Sequence, residues 1–364
     1  MKAVVAMDSF KGSMTSLEAG NAVKRGILRA CPSAEVYVLP LADGGEGTID
    51  AIAPFVGGIE RHVTVTGPLG KPVDASYIYV PSTCTAYIEM AKACGLTLIK
   101  DEERDPYNAT TYGVGEIIKD AIKNGARSLV ICIGGSATND GGAGMLQALG
   151  AELLDKDGRD IARGCIGLKD LEAVRFAGQF SKNVSVTVAS DVTNPLCGPD
   201  GASFVYAPQK GASPGMCEKM DGWLKGFAEK CGFDPFEPGT GAAGGMSFAL
   251  KNFLGAELES GADIVLSVTG AEELIRDCDL VVTGEGRMDS QTVNGKAPFK
   301  VMRIAQKHKK PVYGITGVLG DGYEECLKAG FTRIEPLVVP DMEKEGAIKS
   351  TEETAAVLFA QPKM

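Results

Sequence analysis

The chain has 364 residues, 44% of them hydrophobic and 23% charged, which predicts a folded protein with ample apolar surface to bury, arranged as two domains or one large α/β unit. Its 37 basic and 47 acidic side chains give a net charge of −10 with no long basic run, so nucleic acid and anionic membrane surfaces are excluded as partners and small molecules are expected instead. Ten cysteines without a C-x-x-C spacing exclude a paired-cysteine zinc site, and two histidines, His62 and His308, exclude a histidine triad or a multi-histidine metal site.

The opening Met-Lys-Ala-Val-Val runs directly into polar Asp8-Ser9-Phe10-Lys11, with no apolar core of an export signal, which predicts a cytoplasmic protein. Ala3-Val4-Val5-Ala6 reads as a buried strand, and Leu17 to Ala30 as a helix begun by Thr15 or Ser16. Val36 to Leu39 is a second strand, followed by a glycine-rich loop and a helix from about Thr48. This β-α-β-α order predicts a parallel sheet covered by helices. The middle changes grammar: His62 to Thr66 alternates, Gly67-Pro68-Leu69-Gly70 turns, and Ala75–Val80 and Ala86–Met90 read as antiparallel strands. Strands at Leu129–Ile133 and Val184–Ala189 follow, each entering a polar loop. The α/β grammar returns at Leu280–Thr283, a helix from Pro298, Val312–Thr316, and on through Thr351 to Phe359. The expected architecture is a discontinuous Rossmann-like α/β domain, 1–66 plus 256–364, with a second α/β domain, 67–255, inserted in it.

Five glycine-rich polar segments fall at the carboxyl ends of predicted strands, where open α/β sheets bind ligands. Asp8-Ser9-Phe10-Lys11 offers donors and one cation to an anion. In Ala42-Asp43-Gly44-Gly45-Glu46-Gly47-Thr48 two carboxylates among glycines suit a divalent metal or substrate hydroxyls. The run 134–142 brings backbone close to a ligand and supplies Ser136, Thr138, Asn139 and Asp140. Asp191 closes a strand as a base or metal ligand, ahead of Asn194. The fifth segment gathers Thr283, Glu285, Arg287, Asp289, Gln291, Asn294 and Lys296. No P-loop is present, and Gly239-Thr240-Gly241-Ala242-Ala243-Gly244, though formally G-x-G-x-x-G, follows a proline-rich loop and is expected to be a flexible or ligand-facing connection. With no usable histidine, the chemistry falls to carboxylates, Lys and Arg, hydroxyls and backbone donors, a set suited to phosphoryl transfer.

DSFKGS (8–13), ADGGEGT (42–48), GGSATNDGG (134–142), ASDVTNPLCG (189–198), PQKGA (208–212), GAAGG (241–245) and TGEGRMDSQT with GK (283–296) stand in an order that resembles the bacterial type I glycerate kinases over nearly the whole chain. The resemblance implies ATP-dependent phosphorylation of D-glycerate to 2-phosphoglycerate with Mg²⁺, and two α/β domains with the active site in the cleft between them. Asn294 stands where members commonly carry His, and Thr316 where Ala is common.

By chemistry, Lys11 and Arg287 are assigned to the transferring phosphoryl group and Asp191 to the base, with Asp289 as its alternate. Asp8, Ser9, Asp43, Ser136, Thr138, Asn139, Asp140 and Asn194 are expected to bind glycerate. Thr283, Glu285, Gln291 and Lys296 are expected to bind ATP, and Asp43 and Glu46 the metal. The competing expectations are a kinase of a related hydroxy acid, a nicotinamide-dependent hydroxy-acid oxidoreductase, and a non-catalytic anion-binding protein. Either a monomer or a homodimer fits.

Overall fold

The computed structural model describes residues 1–10, 12–176, 183–338 and 343–360, and the chain divides into two compact units. The first comprises Met1–Asp43, Asp50–Val56 and Ala262–Met364; the second comprises Gly44–Ile49 and Gly57–Gly261.

The first unit is built on a five-stranded sheet in the order Arg333–Pro336, Val312–Thr316, Leu280–Gly284, Lys2–Met7, Glu35–Pro40, parallel throughout. Numbered within the unit this is the doubly wound order 2-1-3-4-5, whose switch point lies between Lys2–Met7 and Leu280–Gly284. The central strand is apolar on both faces because both are covered. Ala3, Val5 and Met7 pack with Ala19, Val23 and Ile27 of the helix Ser16–Ala30 and with Ala355 and Leu358 of Lys344–Ala360. Val4 and Ala6 pack on the opposite side with Val301, Met302 and Ala305 of Ala297–Lys307. Thr15 caps the first helix in a reciprocal capping box with Glu18, which fixes where the chain leaves the strand-end loop.

The second unit carries a six-stranded mixed sheet in the order Glu257–Glu259, Ser185–Ala189, Ser128–Cys132, Thr85–Glu89, Pro72–Val80, Ile59–Thr66. Its first four strands are mutually parallel, and the last two add antiparallel. Thr85–Glu89 is the seam, antiparallel to one neighbour and parallel to the other. The expected boundary at 66 shifts accordingly. Ile59–Thr66 pairs along its whole length with Pro72–Val80, so it is held by the second unit's sheet. The helix Tyr112–Lys123 covers this sheet through Val114, Ile117, Ile118 and Ala121, the spacing of one helical face.

None of the ten cysteines is in a disulfide, and seven are buried, where they pack as small apolar groups. Among the described residues no helix is long and apolar enough to cross a membrane.

Candidate active site

In the second unit three of the predicted loops come together, and glycine is the reason they can. Gly44 has φ +86°, and a Cβ there would sit 2.8 Å from the Ala189 carbonyl at the end of Ser185–Ala189. A Cβ on Gly134 would lie 2.4 Å from Gly45 Cα, and the Gly134 N–H donates to Gly44 O at 3.1 Å. Backbone packs on backbone, so any side chain at either position would drive the loops apart. The fully buried Glu89 fixes the far side of the 44–48 loop, accepting from Gly47 N at 2.9 Å and Ile49 N at 3.2 Å. Asp43 and Glu46 are exposed on this loop, and Glu46 Oε1 accepts from Thr97 Oγ1 at 3.1 Å. Asp191 is exposed two residues beyond the end of its strand.

The 134–142 run divides into two halves with different work. Asp140 is wholly buried: its Oδ2 accepts from Thr111 N, Thr111 Oγ1 and Gly144 N, and its Oδ1 from Gly142 N. Burial raises its pKa against these four bonds, and the carboxylate ties the starts of Tyr112–Lys123 and Ala143–Ala148 to the loop. Asn139, also wholly buried, donates to Ser203 Oγ at 2.9 Å. Both were expected on the ligand; the structure turns them inward to hold the loop. Ser136 and Thr138 meet a residue that reasoning from sequence passed over. Lys210 is buried at 2% exposure and donates from Nζ to Ser136 Oγ at 2.9 Å and to Thr138 O at 2.6 Å. Burial pushes its pKa down to about 8, although the neighbouring Cys94 and Asp140 work in the opposite direction. The only signal in the sequence was its place in PQKGA, an unremarkable lysine by composition.

Asn194 is likewise engaged by the scaffold, donating to Asp200 O at 2.8 Å and accepting from Tyr206 Oη at 2.7 Å. The 239–245 glycine segment is a packed support rather than a loose connection. Ala242 and Gly244 are buried, and Gly244 O accepts from Gly141 N at 2.9 Å directly beneath the 134–142 loop.

In the first unit the switch point places two predicted loops side by side. Met7 pairs with Gly284, and Asp8 N donates to Gly284 O at 2.8 Å, so Asp8–Ser9 and Glu285 leave adjacent strand ends. Glu285 accepts from Thr292 Oγ1 at 2.8 Å and from Lys296 Nζ at 3.0 Å. Asp289 accepts from Arg287 Nε at 3.1 Å and Gln291 N at 2.9 Å. Partial burial works to raise its pKa, but the Gln291 N–H, Arg287 and Lys296 together hold it below the usual carboxylate range. Asp289 is thereby a weak base and a good organiser of cations. Thr316 accepts from Met288 N at 3.0 Å and donates to Val318 O at 3.0 Å, so its hydroxyl locks Arg287–Met288 beside Val318–Leu319. Thr283 is buried in its strand and its hydroxyl has no hydrogen-bond partner among the described residues. Lys11 lies outside the described residues.

Among the described residues no three His, Cys, Asp or Glu side chains converge as metal ligands. Asp43 and Glu46 are exposed carboxylates, and hard oxygen donors of this kind suit a divalent cation such as Mg²⁺.

The model of the glycerate kinase family matches residues 3–361. Glycerate 2-kinase of Escherichia coli K12 is 48% identical over 88% of this chain and 86% of its own length. Glycerate kinase of Bacillus subtilis 168 is 43% identical over 100% of this chain and 98% of its own. A crystal structure from Salmonella typhimurium LT2 that carries the name glycerate kinase 2 superposes with a TM-score of 0.85 at 42% identity, covering 99% of this chain and 97% of that one. The chain belongs to the glycerate kinase family.

Proposed function

We propose that this member of the family transfers the γ-phosphoryl group of ATP to the 2-hydroxyl of D-glycerate, forming 2-phosphoglycerate and ADP. The observation that carries the reading is the backbone packing of Gly44 and Gly45 against Ala189 and Gly134 in the second unit, which draws together the strand-end loops that carry Glu46, Ser136 and the exposed Asp191. Phosphoryl transfer needs this kind of site, because it relies on positioning and charge stabilisation more than on covalent steps.

Asp191 takes the proton of the attacking hydroxyl as the new O–P bond forms and the bond from the γ-phosphorus to the bridging oxygen breaks, with ADP leaving. Asp289 is the poorer base, being held ionised by Arg287 and the Gln291 N–H. Ser136 and Thr138 of the second unit hold glycerate. Arg287 meets the phosphoryl oxygens. Glu285 and Thr292 fix Lys296 for the nucleotide phosphates, beside Gln291 and Thr283. Asp43 and Glu46 would hold Mg²⁺, which when bound neutralises phosphate charge.

³¹P NMR of the protein with ATP, Mg²⁺ and D-glycerate tests the reading. A new phosphomonoester resonance matching 2-phosphoglycerate is expected. A 3-phosphoglycerate signal would overturn the regiochemistry, and an unchanged ATP spectrum would overturn glycerate as the acceptor.

A further inference from the structure

Lys210 is a fully buried ammonium that forms no ion pair with any described residue. It sits in the single turn Pro208–Lys210, which is clamped by Arg104 Nη1 donating to Gln209 O at 2.9 Å. The titratable groups facing it are Asp140, whose oxygens are occupied by Thr111, Gly142 and Gly144, and Cys94, which burial keeps as a neutral thiol. If space filling were its whole purpose, a methionine would serve without desolvating a charge.

Its hydrogen-bond logic is directional. An ammonium can only donate, so Ser136 Oγ must accept from it and is left with its own O–H proton to give away. Among the described residues nothing accepts that proton, and Ser136 retains 5% exposure. The backbone around it is pinned on both sides: Gly135 O accepts from Leu96 N at 2.9 Å, and Ala137 N donates to Cys94 O at 2.9 Å. A hydroxyl that accepts from a cation is a stronger donor, since each bond in the chain polarises the next.

We propose that Lys210 is a positioning residue that makes the Ser136 hydroxyl a charge-assisted hydrogen-bond donor to an anionic substrate oxygen, the carboxylate of the hydroxy acid or a phosphoryl oxygen of the nucleotide. The identity of that anion rests on the kinase reading above; the direction of the relay does not.

The test is steady-state kinetics of Lys210→Met, Ser136→Ala and the double variant between pH 6.5 and 9.5. Each single variant loses about ten- to a hundredfold in kcat/KM for the substrate that carries the anion, the span of one charge-assisted hydrogen bond. The double variant is no worse than Ser136→Ala alone. A carboxylate puts the loss in KM for glycerate, and a phosphoryl oxygen puts it in KM for ATP. In the wild type that same parameter declines above about pH 8, and the decline is absent from both single variants. Additive losses, or an alkaline decline that persists in the variants, overturn the proposal. Should Lys210→Met fail to fold, Ser136→Ala decides alone: an alkaline decline that survives in it overturns the relay. If the wild type phosphorylates nothing, calorimetric binding of D-glycerate and of ATP separates the two readings. Binding of one ligand weakened in both variants supports the relay while the kinase reading fails, and unaltered binding of both overturns the relay.

Discussion

Lys296 Nζ lies 3.0 Å from Glu285 Oε2, and Thr292 holds the other Glu285 oxygen at 2.8 Å, so one carboxylate fixes the lysine to the strand end at the switch point of the first sheet. Replacing Lys296 with Met is expected to raise KM for ATP by about ten- to a hundredfold, the range of a single charge-assisted contact, with KM for glycerate nearly unchanged. Glu285→Gln should reproduce part of that effect by releasing the lysine. An ATP KM equal to the wild type in Lys296→Met would remove this residue from the nucleotide site.

Asp191 stands exposed just past the end of Ser185–Ala189, and the proposed reaction assigns it the role of base. Asp191→Asn should lower kcat by about 10²- to 10⁴-fold, the usual worth of a general base, and leave KM for glycerate close to the wild-type value. Near-normal turnover in this variant would move the role elsewhere.

The contact between Gly134 and Gly45 leaves no room for a methyl group. A Cβ at Gly134 would come within 2.4 Å of Gly45 Cα. Gly134→Ala should cost about 1–3 kcal/mol of stability through overpacking and separate the two loops. Denaturant unfolding and kcat/KM on one preparation check this, and a variant that is stable and fully active would contradict it.

The Lys210 ammonium also makes a prediction about stability, with a sign opposite to its effect on activity. Its pKa is depressed from 10.5 in the unfolded chain to about 8 in the folded one, so between these values the unfolded state binds more protons. Stability should therefore rise with pH across that window, by at most about 3 kcal/mol for this group. Urea midpoints of the wild type and Lys210→Met at pH 7.5 and 9.5 measure it. An equal pH dependence in the two proteins would mean that the lysine is not desolvated as described.

Much of this was readable from local pattern. A strand such as Lys2–Met7, apolar on both faces, announces a parallel sheet because helices must cover both sides, and the Thr15–Glu18 pair marks a helix start within four residues. The loops that carry Asp43, Ser136, Asp191 and Glu285 were legible for the same reason: polar residues among glycines at strand ends have no core to fill. Partners far apart in sequence were decided by the tertiary structure. Asp140 faces Thr111 and the start of its own helix because the chain folds Tyr112–Lys123 against that loop, and no spacing rule distinguishes it from Ser136 four residues earlier. Lys210 reaches Ser136 across 74 residues, and a buried lysine reads in the sequence like any solvated one until packing removes the water. Sequence by itself determined which strand-end segments are polar and glycine-rich, since that follows from side-chain type and local backbone; only tertiary structure decided which of those side chains stay exposed and which hold the loop, because burial and pairing are properties of contacts between distant segments.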